Sequence, residues 1–263
     1  MSQDVWDDGS AYDRYIGRWS GVIASAFLRW LGLPGGGAWL DFGCGTGALA
    51  RRVLAECEPR LVVGCDRSPG FVAFARDSAP DPRADFAVAE LPDLPRTEGG
   101  FDAAVSGLVL NFLPSPLDGA TAMAARTRRG GAVAAYVWDY AEGMQALHIF
   151  WEAAKSLDPA AVSLDESARF PLCQPEPMRE LLERAGLGNV AVRALEIPTV
   201  FKDFDDYWAP FLGGQGPAPS YVMSLPARRR EALRELTRSR LPVGADGTIR
   251  LTARAWAARG TVV

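Results

Sequence analysis

Apolar and polar residues follow one another along this chain in blocks that predict strands and helices in turn. Between positions 38 and 138, short apolar runs are separated by stretches in which apolar residues recur every three or four positions. The runs predict buried strands, and the stretches predict helices packed on them. We predict strands at 38–42, 60–65, 84–89, 101–106 and 132–138.

Helix signals fall between these strands. Ser68 is placed to accept hydrogen bonds from the first free amides of a helix at 71–78, and Pro116 suits the first turn of a helix at 116–129. A third helix is predicted at 48–57. Regular alternation of this kind indicates a parallel, doubly wound sheet.

Outside positions 38–138 the pattern is looser. Apolar residues at helical spacing predict one or two helices within 11–33, before the core begins. After position 139 we predict helices at 143–157 and 176–185, a strand at 190–197 and a closing strand at 248–257. Residues 201–244 interrupt this order with many aromatic side chains and a helix at 227–238.

These elements predict an α/β fold: a doubly wound, mostly parallel sheet of seven strands, with helices on both faces and a helical lid. We divide the chain into an N-terminal helical cap (1–35), a core (36–200 and 245–263) and a lid insertion (201–244). Its 263 residues suffice for one large domain with an appended lid.

The composition of the chain limits which binding partners and which cellular compartment we expect. The formal net charge of −4 argues against capture of nucleic acid by electrostatic attraction. The longest apolar segment, 21–34, is interrupted by Arg29 and is too short to cross a bilayer. The four cysteines show no metal-ligand spacing, so we expect reduced thiols, no metal site and a cytoplasmic location.

The most informative stretch joins the first strand to the helix after it: Asp41, then Gly43, Gly45 and Gly47 at alternate positions. A turn with almost no side chains lets a ligand lie against the backbone. Gly43, Gly45 and an alanine at 48 also fit a dinucleotide fingerprint, and the acidic residue at 66 follows at the expected distance. Asp41 would repel a pyrophosphate and attract a cationic ligand, because its carboxylate lies near the strand end.

This combination resembles the class I S-adenosylmethionine-dependent methyltransferases, which have a Rossmann-like fold. Their first motif, an acidic residue followed by Gly-x-Gly-x-Gly, is matched from Asp41 to Gly47. The resemblance implies that the backbone from Gly43 through Cys44 to Gly45 packs on the methionine and ribose of the cofactor. It places Asp41 near the methionine ammonium group.

Later motifs of the family follow in the same order. The resemblance implies that Asp66 accepts hydrogen bonds from both ribose hydroxyls and that Arg67 flanks the adenine. It places Glu90 and the amide of Leu91 at the adenine amino group, although the family has aspartate at position 90 and lacks the extra proline that this chain carries nearby. Ser106 belongs to a fourth motif and is assigned to the same cofactor site.

The N-terminal segment offers two further candidates. Tyr15 and Arg18 are three positions apart, on one face of a predicted helix. In related small-molecule methyltransferases such a helix closes over the cofactor, and these side chains could contact the methionine carboxylate. The alternative, that Tyr15 packs and Arg18 is solvated, is equally compatible with the sequence.

The class of methyl acceptor is indicated mainly by motifs that the sequence lacks. The fourth strand is followed by Ser-Gly-Leu-Val, and the Asn/Asp-Pro-Pro-Tyr motif of many DNA and protein N-methyltransferases is missing. The aromatic insert predicts an apolar pocket for a small, partly hydrophobic acceptor, with Trp151, Tyr207 and Trp208 as candidate binding residues. The layout is most similar to the ubiquinone/menaquinone-biosynthesis-like group.

Catalysis itself requires a base only if the acceptor still carries its proton when attack begins. Asp139 directly follows the fifth strand, where doubly wound folds place ligands, and is our candidate. The single histidine, His148, lies in a helical stretch with apolar neighbours and is a weaker one. An NAD(P)-dependent oxidoreductase and a non-catalytic cofactor-binding protein remain as alternatives, and the oligomeric state is left open.

Overall fold

A seven-stranded sheet forms the centre of the molecule. The computed structural model describes residues 17–213 and 216–263. The strands run in the order β3-β2-β1-β4-β5-β7-β6. Their bounds are β1 Ala38–Phe42, β2 Leu61–Asp66, β3 Ala84–Val88, β4 Phe101–Gly107, β5 Thr127–Trp138, β6 Leu187–Phe201 and β7 Ile249–Val262.

Strands β1 to β5 are parallel, and β7 is antiparallel to both of its neighbours, β5 and β6. The order of strands reverses at β1, which lies between β2 and β4. A crevice opens at such a switch point, outside the carboxyl ends of the strands, and it is where doubly wound folds bind ligands. The predicted fold class is confirmed.

Helices cover both faces of this sheet. In the described residues they are α1 Arg18–Leu31, α2 Ala48–Glu56, α3 Pro69–Ser78, α4 Pro116–Arg126, α5 Gln145–Leu157, α6 Glu166–Arg169, α7 Pro175–Arg184, α8 Phe204–Trp208, α9 Pro217–Ser224 and α10 Ala227–Arg240. No helix in these residues is long and apolar enough to cross a membrane.

Alternation of side chains along the strands produces two cores. Trp39 and Val105 point to one face, where they are buried against apolar residues of α1, α2, α3 and α5. Leu40 and Ala104 point to the other face, against α4 and α7. Each fully buried large apolar side chain contributes about 1.5–3 kcal/mol, so the two cores together hold the strand ends in fixed positions.

Local signals located most elements to within a few residues. Ser68 caps α3, accepting a hydrogen bond from the amide of Phe71 at 3.4 Å. The main error concerns 127–131, which we predicted as the end of a helix and a glycine break. Thr127 instead pairs with Phe101 at the start of β5, and a bulge separates this pair from the regular ladder. Pairing between strands decided this boundary.

The segment between β6 and β7 contains α8, α9 and α10, in the region predicted as a lid. Helix α1 packs on α2 and β6, so it belongs to the layer that covers one face of the sheet. The division into cap, core and lid stays a prediction.

Candidate functional site

The glycine turn between β1 and α2 lies at the carboxyl edge of the sheet. Gly43, Gly45 and Gly47 have φ angles of 71°, 52° and 82°, in the left-handed region that favours glycine. The amides of Gly43 and Cys44 both donate to the carbonyl oxygen of Cys65, at 2.8 and 2.9 Å. These two hydrogen bonds attach the turn to the end of β2.

Two of the glycines, Gly43 and Gly45, differ in the space around them. A Cβ atom on Gly43 would lie 2.6 Å from both γ-methyl groups of Val109, so this position is closed by packing. A Cβ atom on Gly45 would meet nothing within 4 Å. The backbone at Gly45 is therefore open to a ligand, as the resemblance implied.

Asp66 lies beside this open backbone, at the end of β2. One carboxylate oxygen accepts from the Gly45 amide at 3.1 Å, and the other accepts from the Ser68 amide at 2.9 Å. A carboxylate has about four lone-pair sites, so Asp66 can accept further hydrogen bonds from a ligand. The structure brings Asp66 next to the glycine turn, where ribose hydroxyls would reach it, and that role stays a prediction.

Asp41 lies beneath the turn. It is 1% exposed, and neither carboxylate oxygen has a hydrogen-bond partner within 3.5 Å among the described residues. Burial raises the pKa of Asp41 to about 7; the amide of Ala50, which faces the carboxylate without meeting hydrogen-bond geometry, partly offsets the rise, and the nearby Asp66 adds to it. An unpaired buried carboxylate is costly, and a cation would relieve that cost.

The candidate adenine residues also lie at this edge. Arg67 and Glu90 are exposed, directly after β2 and just beyond β3. The amide of Ala89 donates to the carbonyl oxygen of Asp66 at 3.0 Å, which holds the segment that carries Glu90 and Leu91 beside the end of β2. Their contacts with a cofactor stay predictions.

Four of our candidate assignments need correction. Ser106 is fully buried, and its hydroxyl donates to the carbonyl oxygen of Phe42 at 2.9 Å. Its side chain links β4 to β1 and is not available to a ligand.

The carboxylate of Asp139 is also engaged in hydrogen bonds within the protein. It accepts from Arg254 at 2.7 Å and from the amides of Ala141 and Glu142, each at 3.1 Å. The side chain is 4% exposed. A buried carboxylate that is paired with a guanidinium and accepts two amide hydrogen bonds is a poor general base, so we withdraw this candidate.

Of the three residues predicted to bind the acceptor, two are buried in the core and one lines a cavity. Trp151 is 1% exposed and donates to the carboxylate of Glu166, and Trp208 is buried against Phe204 and Phe211. Both belong to the aromatic core where the insert packs on α5. Tyr207 is buried but lines a cavity, and its hydroxyl donates to the carbonyl oxygen of Ala146 at 2.7 Å.

Arg18 lies at the start of α1, and Tyr15 falls outside the described residues. The guanidinium of Arg18 forms two hydrogen bonds with the carboxylate of Asp206, at 2.9 and 3.0 Å, and one with the carbonyl oxygen of Val200. Its charge is therefore already compensated by α8. A contact with a methionine carboxylate stays a prediction.

The loops after β4 and β5 bring further polar and aromatic side chains to the carboxyl edge of the sheet. The side-chain nitrogen of Asn111 is buried without a hydrogen-bond partner among the described residues. Its neighbour Phe112 is 40% exposed and packs edge-on against Phe170, which also contacts Tyr140. Phe170 comes from a loop about sixty positions further along, so no local pattern indicates this cluster.

His148 is exposed. In the described part of the chain no cluster of three His, Cys, Asp or Glu residues could hold a metal.

Comparison with known proteins agrees with this geometry. Residues 40–131, which run from β1 into β5 and include the glycine turn, match the family model described as "Methyltransferase domain". The segment 40–131 is a methyltransferase domain. The predicted class I superfamily is confirmed, and the narrower ubiquinone/menaquinone-like group stays a prediction.

Two curated relatives of this domain are ribosomal protein L11 methyltransferases. The protein from Thiobacillus denitrificans is 34% identical over 128 residues, and that from Burkholderia orbicola is 36% identical over 111. The matches cover 47% and 41% of this chain, but only 41% and 34% of the relatives.

Solved structures share the fold of this chain over most of its length. A phosphoethanolamine N-methyltransferase from Haemonchus contortus, in complex with S-adenosyl-L-methionine, has a TM-score of 0.59 at 17% identity; the match covers 96% of this chain and 56% of that one. The 4+2 cyclase SpnF has a TM-score of 0.55 at 20% identity, covering 100% and 89%. At these identities the likeness concerns the fold alone.

Proposed function

We propose that this protein binds S-adenosylmethionine and transfers its methyl group to a small, partly apolar acceptor. The observation that carries the proposal is the unpaired carboxylate of Asp41, buried beneath the open backbone at Gly45. A ligand with an ammonium group compensates this charge, whereas the pyrophosphate of a dinucleotide would be repelled by it. The nicotinamide alternative is therefore less favoured.

The remaining residues supply recognition of the cofactor. Asp66 offers free lone pairs to the ribose hydroxyls, while Glu90 and the amide of Leu91 take the adenine amino group and Arg67 flanks the ring. When bound, S-adenosylmethionine supplies a methyl group activated by its sulfonium. The sequence matches to L11 methyltransferases and the fold shared with a cofactor-bound methyltransferase support this proposal.

The protein's own contribution to the reaction is orientation and exclusion of water. Methyl transfer is an in-line displacement, and fixing the acceptor against the methyl group can supply roughly 7–11 kcal/mol of barrier reduction. We assign no general base, because Asp139 is committed to Arg254. An acceptor that is already nucleophilic at neutral pH needs none.

Our proposal of a small, partly apolar acceptor rests on the insert between β6 and β7. Its aromatic side chains pack against α5 and leave an apolar recess at the carboxyl edge, with Phe201, Tyr207 and Phe211 in its wall. The second candidate acceptor is a protein, because two curated relatives are ribosomal protein L11 methyltransferases. Those relatives are longer than the matched regions, so their substrate does not transfer with the domain.

Calorimetry with S-adenosylhomocysteine and with NAD⁺ tests the cofactor. We expect S-adenosylhomocysteine to bind the wild-type protein at least tenfold more tightly than NAD⁺. Asp66→Ala should abolish binding, and Asp66→Asn, which keeps one acceptor oxygen, should weaken it less. Preferential binding of NAD⁺ would overturn the proposal.

Turnover separates an enzyme from a cofactor sensor. Release of S-adenosylhomocysteine is measured with a panel of phenols and amines and, in parallel, with ribosomal protein L11. Turnover with the small acceptors alone supports our proposal, whereas turnover with L11 alone supports the protein acceptor. Cofactor binding without turnover on any member of the panel would favour the non-catalytic alternative.

We also place the protein in the cytoplasm, without a nucleic-acid partner. All four cysteines carry free thiols, three of them buried. The net charge of −4 disfavours a polyanionic partner.

A further inference from the structure

The apolar recess at the carboxyl edge lies between the β6–β7 pair and the helical insert. The space in and above it measures about 440 Å³, a volume that includes open solvent at its mouth. Its walls come from five parts of the chain: Trp19, Met144, Ala146, Leu147, Thr199, Phe201, Tyr207, Pro210, Phe211, Thr252 and Ala253.

Aromatic rings form much of this wall. Tyr207 contributes its ring rather than its hydroxyl, because that hydroxyl donates to the carbonyl oxygen of Ala146. Trp19 and Phe201 meet edge to face at 5.8 Å, and Phe201 meets Tyr207 in the same way at 5.2 Å. Such a wall favours a flat, apolar ligand.

Thr199 breaks the apolar character of the recess. It lies on β6, is 3% exposed, and its hydroxyl has no hydrogen-bond partner among the described residues. A buried hydroxyl without a partner is destabilising, because it has given up its hydrogen bonds to water. The second threonine of the wall, Thr252, is exposed, so water can reach it. A ligand oxygen in the recess would complete the hydrogen bonding of Thr199.

The recess is held in shape from outside. The guanidinium of Arg18 lies 4.7 Å from the centre of the Trp19 ring and 4.9 Å from that of Phe201, while it pairs with Asp206 on α8. This contact joins α1, β6 and the insert around the recess. A preformed wall reduces the ordering cost of binding.

We propose that this recess binds an aromatic ring that carries one hydroxyl or carbonyl oxygen, with Thr199 as the residue that selects for that oxygen. The ring is the apolar part of the methyl acceptor, so this assignment rests on the proposed function. Thr199 acts by hydrogen bonding to the ligand and takes no part in the transfer of the methyl group.

The test uses phenol and toluene, which have nearly the same shape and differ in the oxygen. Binding is followed by the ¹³C-methyl resonance of Met144, which is 6% exposed and lines the recess. The resonance is assigned by its loss in Met144→Leu. In the wild-type protein, saturated with S-adenosylhomocysteine, we expect both compounds to shift it and phenol to bind about fivefold to tenfold more tightly.

Thr199→Val removes the hydroxyl and keeps the shape, so we expect it to abolish the preference for phenol while toluene still binds. Thr252→Val makes the same change at the exposed threonine of the same wall and should leave the preference intact. Ala253→Leu should fill the recess and prevent both shifts. Thermal unfolding of each variant verifies that it is folded.

Three results would overturn the assignment: no shift of Met144 with either compound, an unchanged preference in Thr199→Val, or an equal loss in Thr252→Val. Phenol binding that occurs only when S-adenosylhomocysteine is left out would also overturn it, since the recess would then belong to the cofactor. Calorimetry with S-adenosylhomocysteine reports separately on the proposed function, so failure of either idea is recognised by itself.

Discussion

The carboxylate of Asp41 lies buried under the glycine turn without a hydrogen bond, and this single residue carries most of the functional argument. The sequence indicated its charge and its place next to Gly43. Its burial depends on residues of α2 and β2 that approach it only in the folded chain. Gly43 and Gly45 likewise look alike in the sequence. Only the folded chain shows that Gly43 is packed against Val109, whereas Gly45 faces open space.

Asp41 should make the stability of the cofactor-free protein fall as pH rises. The native pKa is about 7, against an ordinary value of 3.8, so the native state binds more protons than the unfolded chain between these values. The free energy of unfolding should then decrease from pH 4 to pH 7, by up to about 1.4 kcal/mol per pH unit. Urea unfolding across this range measures it.

The control is Asp41→Asn, which does not titrate at this position. The pH-dependent decrease should be smaller in this variant by the contribution of Asp41. Identical slopes for the two proteins would show that Asp41 is paired or ionised in the native state at pH 5.

The glycine turn offers a matched pair of variants. Gly43→Ala places a methyl group 2.6 Å from Val109, so it should lower the free energy of unfolding by about 2–4 kcal/mol. Gly45→Ala meets no atom and should cost only about 1–2 kcal/mol for its left-handed backbone. It should nevertheless weaken S-adenosylhomocysteine at least tenfold by calorimetry. Full affinity in Gly45→Ala would contradict an open cradle at this position.

At the scale of elements, the closing strand β7 defines what Asp139 does. The end of β5 and the middle of β7 pair directly, with Trp138 opposite Ala255, and this register brings Arg254 to Asp139. From the sequence Asp139 was a residue at a strand end, where catalytic groups are common. The partner that neutralises it lies 115 positions later, beyond the reach of any local pattern.

Asp139→Ala should therefore reduce stability while leaving the cofactor site intact. The change removes an acceptor from Arg254 and from two backbone amides, for which we expect a loss of about 3–5 kcal/mol in the free energy of unfolding. S-adenosylhomocysteine affinity should change less than twofold. A stable variant that binds normally and loses only turnover would restore Asp139 as a catalytic candidate.

At the scale of the whole molecule, Arg18 and Asp206 connect the first described helix to the insert almost 190 positions later. The pair is one-quarter to one-third exposed, with side-chain fractions of 26% and 33%. Pairing with Arg18 lowers the pKa of Asp206. The contact therefore contributes to stability above the unfolded pKa of the carboxyl group, and this contribution is lost as the pH falls through the lower native pKa.

A double-mutant cycle with Arg18→Ala and Asp206→Ala measures this connection. We expect a coupling free energy of about 0.5–1.5 kcal/mol at pH 7, since the geometry is bidentate but water screens the charges. The coupling should shrink as the pH falls through the lowered native pKa of Asp206 and its carboxylate becomes protonated. Zero coupling at pH 7 would show that the two residues are merely neighbours.

The sequence by itself determined the order and type of the elements, the doubly wound sheet and the position of the glycine turn between Asp41 and Asp66. These features depend on side-chain periodicity and on glycine backbone freedom, which are local properties. Tertiary structure decided the extent of β5, the pairing of Asp139 with Arg254, the core position of Trp151 and the recess around Thr199. Each of these arises where segments distant along the chain meet, and only the folded chain brings their charges and hydrogen-bonding groups together.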